Sequence, residues 1–244
     1  MPEAGPVTSA LLAVARDVGD DRALARSICR AFVDGLDIDG AALSLLTAQV
    51  ASQTMHATDP TAELLEELQF TLNEGACIEA ATTGYPVLVP DLRGGGEVAR
   101  WPVFAASVIE QSEIRALFAL PLQWGTVNLG VIDLYRRTPG ALTDGQRQDA
   151  LRAADTAALM MLTLRTDPDN VDGSTGCGGG WLDPSVATHA EIHQATGMVL
   201  VQLGVNADVA LARMRAHAFA EGRLLLDVAR DVVARRLVFT QDMT

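Results

Sequence analysis

One stretch constrains this chain more than any other: TDPDNVDGSTGCGGGWLDP, from Thr166 to Pro184. It carries no apolar periodicity, and the three consecutive glycines Gly178 to Gly180 make its backbone too permissive to hold a helix or a strand. A segment of this composition behaves as a flexible linker. The chain is therefore expected to fold as two bodies, residues 7–166 before a linker at 167–182 and residues 183–239 after it. With 244 residues, 49% of them hydrophobic, there is enough apolar side chain for two cores.

The first body opens with helical patterns near Val7–Val18 and at Asp21–Leu36. Asp20 or Asp21 suits the N-cap of the second, and Gly35 or Gly40 its stop. Two short strand candidates follow, Ala41–Thr47 and Gln49–Ala57, so close together that they predict a hairpin. A helix is expected at Thr61–Leu68. Beyond it lies an irregular region, LNEGACIEAATTGYPVLVPDLRGGG, in which PVLVP (Pro86–Pro90) is a short strand. The strongest strand signal is IRALFALPLQWGTVNLGVIDLYRR, Ile114 to Arg137. Its two alternating apolar runs flank Trp124-Gly125-Thr126, with the glycine placed for a hairpin turn. An Ala- and Leu-rich helix, Asp144–Arg165, closes the body. Strands joined mainly by hairpins, with helices at both ends of the segment, predict an α+β fold: an antiparallel sheet with helices packed on one face.

The second body reads as three helices. Asp183 and Pro184 supply an N-cap and a first-turn proline, and Gly204 stops the first helix after Leu203. Asn206 caps the second, Ala207 to about Ala220, which Gly222 ends; the third runs from about Leu224 to Val238. Helical spacing turns Ile192, Ala195, Val199 and Gln202–Leu203 inward on the first helix, Ala210, Met214 and Ala218 on the second, and Leu225, Val228, Ala229 and Val232 on the third. Alanines on each inward stripe let the axes approach at the low end of the usual range of about 8–10 Å. Thr196 and Gly197 point away from that seam. A mid-helix glycine costs about 1 kcal/mol, and an exposed one leaves backbone open to close approach by a partner.

Charge separates the bodies further. The net charge is −13, and every basic residue is an arginine. Residues 1–166 hold 12 Arg against 21 acidic residues, whereas residues 182–244 hold 6 Arg against 7. The first body repels a polyanion; only the second tolerates one. Three cysteines (Cys29, Cys77, Cys177) without C-x-x-C spacing argue against a disulfide framework or a structural zinc site, so no metal is expected. No apolar run approaches the roughly 18 residues of a membrane span, and the N-terminus lacks a basic region ahead of its apolar part. A cytoplasmic protein is expected.

Several motifs of the first body resemble the GAF domain across nearly all of residues 7–166. They are the Glu74-Gly75-Ala76-Cys77 turn, the Pro90-Asp91 strand end, Trp101-Pro102, and the Pro121-Leu122 hairpin with Leu129-Gly130-Val131-Ile132. The resemblance implies a sensory or dimerising module with helices on the faces of its sheet and a pocket between the sheet and the irregular region. Candidate pocket residues are Glu74, Cys77, Asp91, Trp101, Phe104 and Phe118. The aromatics among them have a competing role as ordinary core. No cofactor is expected, although a small-molecule effector fits such a module. His56, the only histidine before the linker, reads as a half-buried strand residue rather than a haem ligand.

The second body carries a second resemblance. Over residues 188–233, Gln194-Ala195-x-Gly197, Ala210, Met214-Arg215-x-x-Ala218 and Asp227-Val228-Ala229 are similar to the ANTAR domain, a three-helix RNA-binding module of transcription antiterminators. The family often has lysine where Thr196 stands here. The resemblance implies recognition of paired hairpin loops in mRNA leaders. Candidate RNA-binding residues are His193, Gln194, Thr196, Gly197, Arg213, Arg215, His217, Arg223 and Arg230, supplying imidazoles for unpaired bases and guanidiniums for phosphates. Two other readings compete. One is a DNA-binding helix-turn-helix, for which Leu224, Leu226 and Asp227 are poor readers of a major groove. The other is a pure dimerisation module. No nucleophile–base pair or metal-ligand motif marks an enzyme. The expected whole is a homodimeric regulator in which sensing controls RNA binding.

Overall fold

The computed structural model describes residues 4–14, 20–46, 52–94, 96–166 and 190–240. The expected linker at 167–182, Cys177 and the helix start at Asp183–Pro184 lie outside those residues. The chain divides into two compact units, Met1–Asp183 and Pro184–Thr244.

Five strands form the sheet of unit 1: β1 (Gly40–Leu46), β2 (Ser52–Ala57), β3 (Val87–Val89), β4 (Ala116–Trp124) and β5 (Val127–Arg136). Their order is β2-β1-β5-β4-β3, and every neighbouring pair is antiparallel. Gly125 takes φ 60° in the β4–β5 turn, the conformation that glycine was expected to supply. Helices α1 (Pro6–Val14), α2 (Asp21–Leu36) and α7 (Asp144–Thr166) gather on one side. There Ile28 and Phe32 of α2 and Ala154 and Ala158 of α7 share a core with Leu43, Phe118, Leu120, Ile132 and Leu134. Helices α3 (Pro60–Leu72) and α4 (Ala76–Thr83) cover the opposite face. After the short α5 (Gly96–Arg100), α6 (Pro102–Gln111) packs on α3. Both faces are thus covered, where the pattern of strands and helices had suggested one. The burial of seven consecutive β4 residues records this directly.

Local sequence explains most boundaries. The Asp20 carboxylate accepts from the Ala23 N–H at 2.7 Å and starts α2. Its end does not use glycine: Asp37 takes the left-handed position, with φ 56°. Gly35, expected as a stop, lies inside α2, where a Cβ would collide with Val7 of α1. Gly40 likewise serves close approach, facing Asp59 and Tyr135. Helix α1 borrows its cap from α7, since Asp149 accepts from Val7 N at 2.8 Å and from the Thr8 hydroxyl at 2.7 Å. Helix α4 was read as irregular sequence; its N-cap, Gly75, offers no side-chain hydrogen bond to signal it.

The described residues of unit 2 form three helices, α8 (Ala190–Leu203), α9 (Ala207–Ala220) and α10 (Leu225–Val233). Gly204 and Gly222 end the first two with φ near 65° (66° and 63°), and the Asn206 side chain caps α9 through Val209 N. Ile192, Ala195, Val199, Ala210, Met214, Ala218, Leu225, Val228, Ala229 and Val232 are all buried, as their spacing requires. Gln202 and Leu203 are only half-buried. Thr196 departs from expectation: it is buried in the seam, its hydroxyl donating to Ile192 O at 2.7 Å and lying 3.9 Å from Met214 Sδ. The last helix stops at Val233, short of the expected Val238. Arg235 turns left-handed, and the chain folds back to bury Phe239 against His217, ring centroids 5.4 Å apart.

Candidate functional site

Two arrangements stand out, one in each unit. On α8, helical spacing leaves His193, Gln194 and Gly197 exposed, opposite the buried stripe. A Cβ built on Gly197 meets nothing within 4 Å. No neighbour explains the missing side chain, so the glycine exposes bare backbone. Val201, one turn further on, is 77% exposed.

The arginines are less free than their number suggested. Arg223 bonds Asp231 at 2.5 Å and Glu221 at 3.3 Å, and Arg236 bonds Asp231 at 2.7 Å. Those bonds, from Arg223 first, hold the Asp231 carboxyl below its ordinary pKa. Arg230 bonds Glu191 at 2.9 Å across from α10 to α8. Both candidates Arg223 and Arg230 are thus partly neutralised and act as struts. Arg213 and Arg215 on α9 are half-buried, and burial lowers the pKa of Arg215. His217 faces Glu221 at 3.5 Å and the Phe239 ring. Of the nine candidates, Thr196 is in the core, Arg213, Arg215 and His217 are half-buried, and Arg223 and Arg230 are held in ion pairs. His193, Gln194 and Gly197 are exposed on one helix face.

The candidate pocket residues of unit 1 do not converge. Phe118 lies on the α2–α7 side of the sheet, with the Arg136 guanidinium 5.7 Å from its ring centre. Glu74 caps α6, accepting from Val103 N and Phe104 N at 3.1 Å each. Asp91 is held in a two-pronged ion pair by Arg115, at 2.9 and 3.1 Å. That pairing keeps its pKa below the ordinary value. Trp101 and Phe104 are buried edge to face, 6.0 Å apart.

Cys77 alone leads to something else. On the α3–α4 side of the sheet it meets Glu66 of α3 and Asp133 of β5; the three ligand-type atoms lie within 4.8 Å of one another. All three residues are buried, 4%, 2% and 3% exposed for Glu66, Cys77 and Asp133. Ser44 donates its hydroxyl to Glu66, and Gln69 reaches Glu66 Oε1 at 3.3 Å while accepting from Cys77 N at 2.7 Å. Asp133 Oδ2 has no hydrogen-bond partner. Burial, then the neighbouring Glu66, pushes the Asp133 carboxyl well above the carboxylate range; burial and Asp133 raise the Cys77 thiol. Two carboxyls side by side without a cation disfavour charge on either. The sequence did carry a trace of this site. Glu66 falls on the inward stripe of Ala62, Leu65 and Gln69, and Asp133 interrupts an otherwise apolar run, GVIDLY.

A separate groove of 620 Å³ beside α2 is lined by Arg26, Arg30, Asp34, Asp39, His56 and Asp59, among others. Burial first, then Arg26, Arg30 and Arg22, lowers the pKa of His56.

Residues 20–161 match the GAF domain family and residues 182–233 the ANTAR domain family. No curated protein matches the chain. Among solved structures, the GAF domain of a phosphoenolpyruvate-protein phosphotransferase from Coxiella burnetii is 10% identical, covering 65% of this chain and 92% of that one with a TM-score of 0.52. A domain assigned to a two-component sensor histidine kinase protein from Sinorhizobium meliloti 1021 is 15% identical, covering 61% and 95% with a TM-score of 0.50. Likeness at these identities establishes the fold of unit 1 and leaves its ligand open.

Proposed function

Because the chain belongs to the GAF family and carries an ANTAR domain after its sensory unit, we propose that it is an antitermination regulator whose C-terminal unit binds paired hairpin loops of RNA. GAF and ANTAR are regulatory modules, and the proposed role has no catalytic step. The observation that carries the reading is Gly197: an exposed mid-helix glycine with open space where its Cβ would stand. Loop nucleotides present splayed bases and a kinked backbone, and recognising them takes close approach plus polar side chains. His193 and Gln194 supply the polar groups on the same face, and Arg213 and Arg215 the cationic ones. Arg223 and Arg230, in their ion pairs, fix the geometry of α10 rather than carry the phosphate contact. The reading includes a cytoplasmic homodimer and an effector taken by the GAF unit. It agrees with the absence, among the described residues, of any single helix long and apolar enough to cross a membrane.

The test is a gel shift of the full chain with a two-hairpin RNA over a range of salt. A complex that weakens as salt rises is expected, because phosphate contacts release counterions. Gly197→Leu should lower affinity about tenfold, ~1.4 kcal/mol. It should also leave the melting temperature unchanged or raised, since leucine outranks glycine in a helix. Arg215→Ala should weaken binding as well. Equal affinity for duplex DNA, or binding indifferent to both substitutions, would overturn the reading.

A further inference from the structure

The face of unit 1 between α3, α4 and β5 contains a ligand set that none of the family resemblances accounts for. Its components differ in chemistry: one thiol, Cys77, and two carboxyls, Glu66 and Asp133, carried on three separate elements and pointing at one spot. A fold gains nothing from this arrangement by itself. A buried acid costs several kcal/mol when charged and unpaired, and among the described residues no arginine or histidine bonds Asp133. Ser44 and Gln69 donate to Glu66, and Asp133 interacts with Cys77, Glu66 and Gln69. Asp133 Oδ2 is left without any partner, although its residue is 3% exposed and aimed at the other two. An orphaned buried acceptor of this kind marks a missing donor or cation. The three ligand-type atoms lie within 4.8 Å of one another, a spacing on the scale of a single ion rather than of an organic ligand.

We propose that Glu66, Cys77 and Asp133 bind a divalent transition-metal cation of the Zn²⁺ type, so that the effector of this sensory unit is a metal ion. One thiolate and two carboxylates suit a borderline cation better than Mg²⁺ or Ca²⁺, which prefer oxygen-only shells. Zinc bonds of about 2.0–2.3 Å require ligand atoms about 3.5 Å apart. Side chains now within 4.8 Å of one another close that difference by rotamer adjustment. Tetrahedral zinc takes a fourth ligand, for which the Ser44 hydroxyl, already bonded to Glu66, is the candidate. On binding, the metal replaces the protons of the thiol and carboxyls, which leave to solvent. The cation offsets most of the negative charge of the deprotonated thiol and carboxyls, and Asp133 Oδ2 gains the partner it lacks.

The experiment uses the full chain, stripped with chelator and then incubated with Zn²⁺ or Co²⁺. About one equivalent of zinc should survive gel filtration by elemental analysis. The cobalt form should show a thiolate-to-metal charge-transfer band in the near ultraviolet. Cys77→Ser should abolish that band, and Asp133→Asn should reduce zinc retention at least tenfold. Asp133→Asn also guards against simple misfolding. Without metal it should melt at or above the wild-type temperature, because a neutral amide replaces a buried acid, whereas with zinc the order should reverse. No retained metal, or retention and spectra unchanged in Cys77→Ser and Asp133→Asn, overturns the proposal. Neither result bears on RNA binding by unit 2, so the two readings fail separately.

Discussion

The two units solve opposite problems. Unit 1 buries Glu66, Gln69, Ser44 and Asp133 in its interior, while among the described residues of unit 2 the interior is apolar except for Thr196, whose hydroxyl is bonded to its own helix. In unit 2 the charged groups sit outside in ion pairs such as Arg230–Glu191, and the informative position is a residue with no side chain at all. A large two-faced sheet can carry a costly polar cluster because so much apolar surface surrounds it. A bundle of some 60 residues has no such reserve. The binding proposed for it is therefore placed on the surface, where it costs little stability.

That contrast can be broken experimentally. The largest effect should come from Met214→Ala. The side chain is fully buried, and such truncations cost about 2–5 kcal/mol, comparable to the whole stability of so small a unit. Calorimetry should show the unit 2 transition lost and that of unit 1 unmoved. A shift of both would mean that the units do not fold separately. Asp149→Ala comes next. Removing the borrowed cap strands the Val7 N–H and the Thr8 hydroxyl. It should lower the unit 1 transition alone by about 1–3 kcal/mol. The smallest effect concerns acid. Asp231 has its folded pKa lowered by Arg223 and Arg236, so its contribution is present above the ordinary carboxylate pKa and disappears as pH falls through the lower folded value. Unit 2 should lose stability on acidification below about pH 4, and Asp231→Asn should flatten that dependence in a melting series.

How far the sequence could be read follows the same division. The inward stripes of α8, α9 and α10 were legible apart from Thr196, Gln202 and Leu203, and the starts of α2 and α9 were legible because Asp20 and Asn206 cap them with their side chains. Phe118 was assigned to the wrong side of the sheet for a definite reason. Strand β4 is buried on both faces, so apolar alternation cannot say which side is which. Helix α4 has no capping side chain, and Asp37 and Arg235 end their helices left-handed without a glycine to announce it. The Glu66–Cys77–Asp133 cluster was hidden because Asp133 lies far along the chain from Glu66 and Cys77, and the three meet only where α3 and α4 pack against the sheet. Thr196 read as outward because its small hydroxyl satisfies itself locally and can be buried at little cost.

The folded-back end of the chain has a practical corollary. The span shared with the ANTAR family closes at residue 233, yet Phe239 lies beyond it, inserted beside His217 and tied by its N–H to Gln202 at 2.9 Å. A fragment trimmed to the family boundary would pull this plug and uncover the flanks of two helices. Anyone isolating the helical half should cut no earlier than Thr240 and hang affinity tags from the other end.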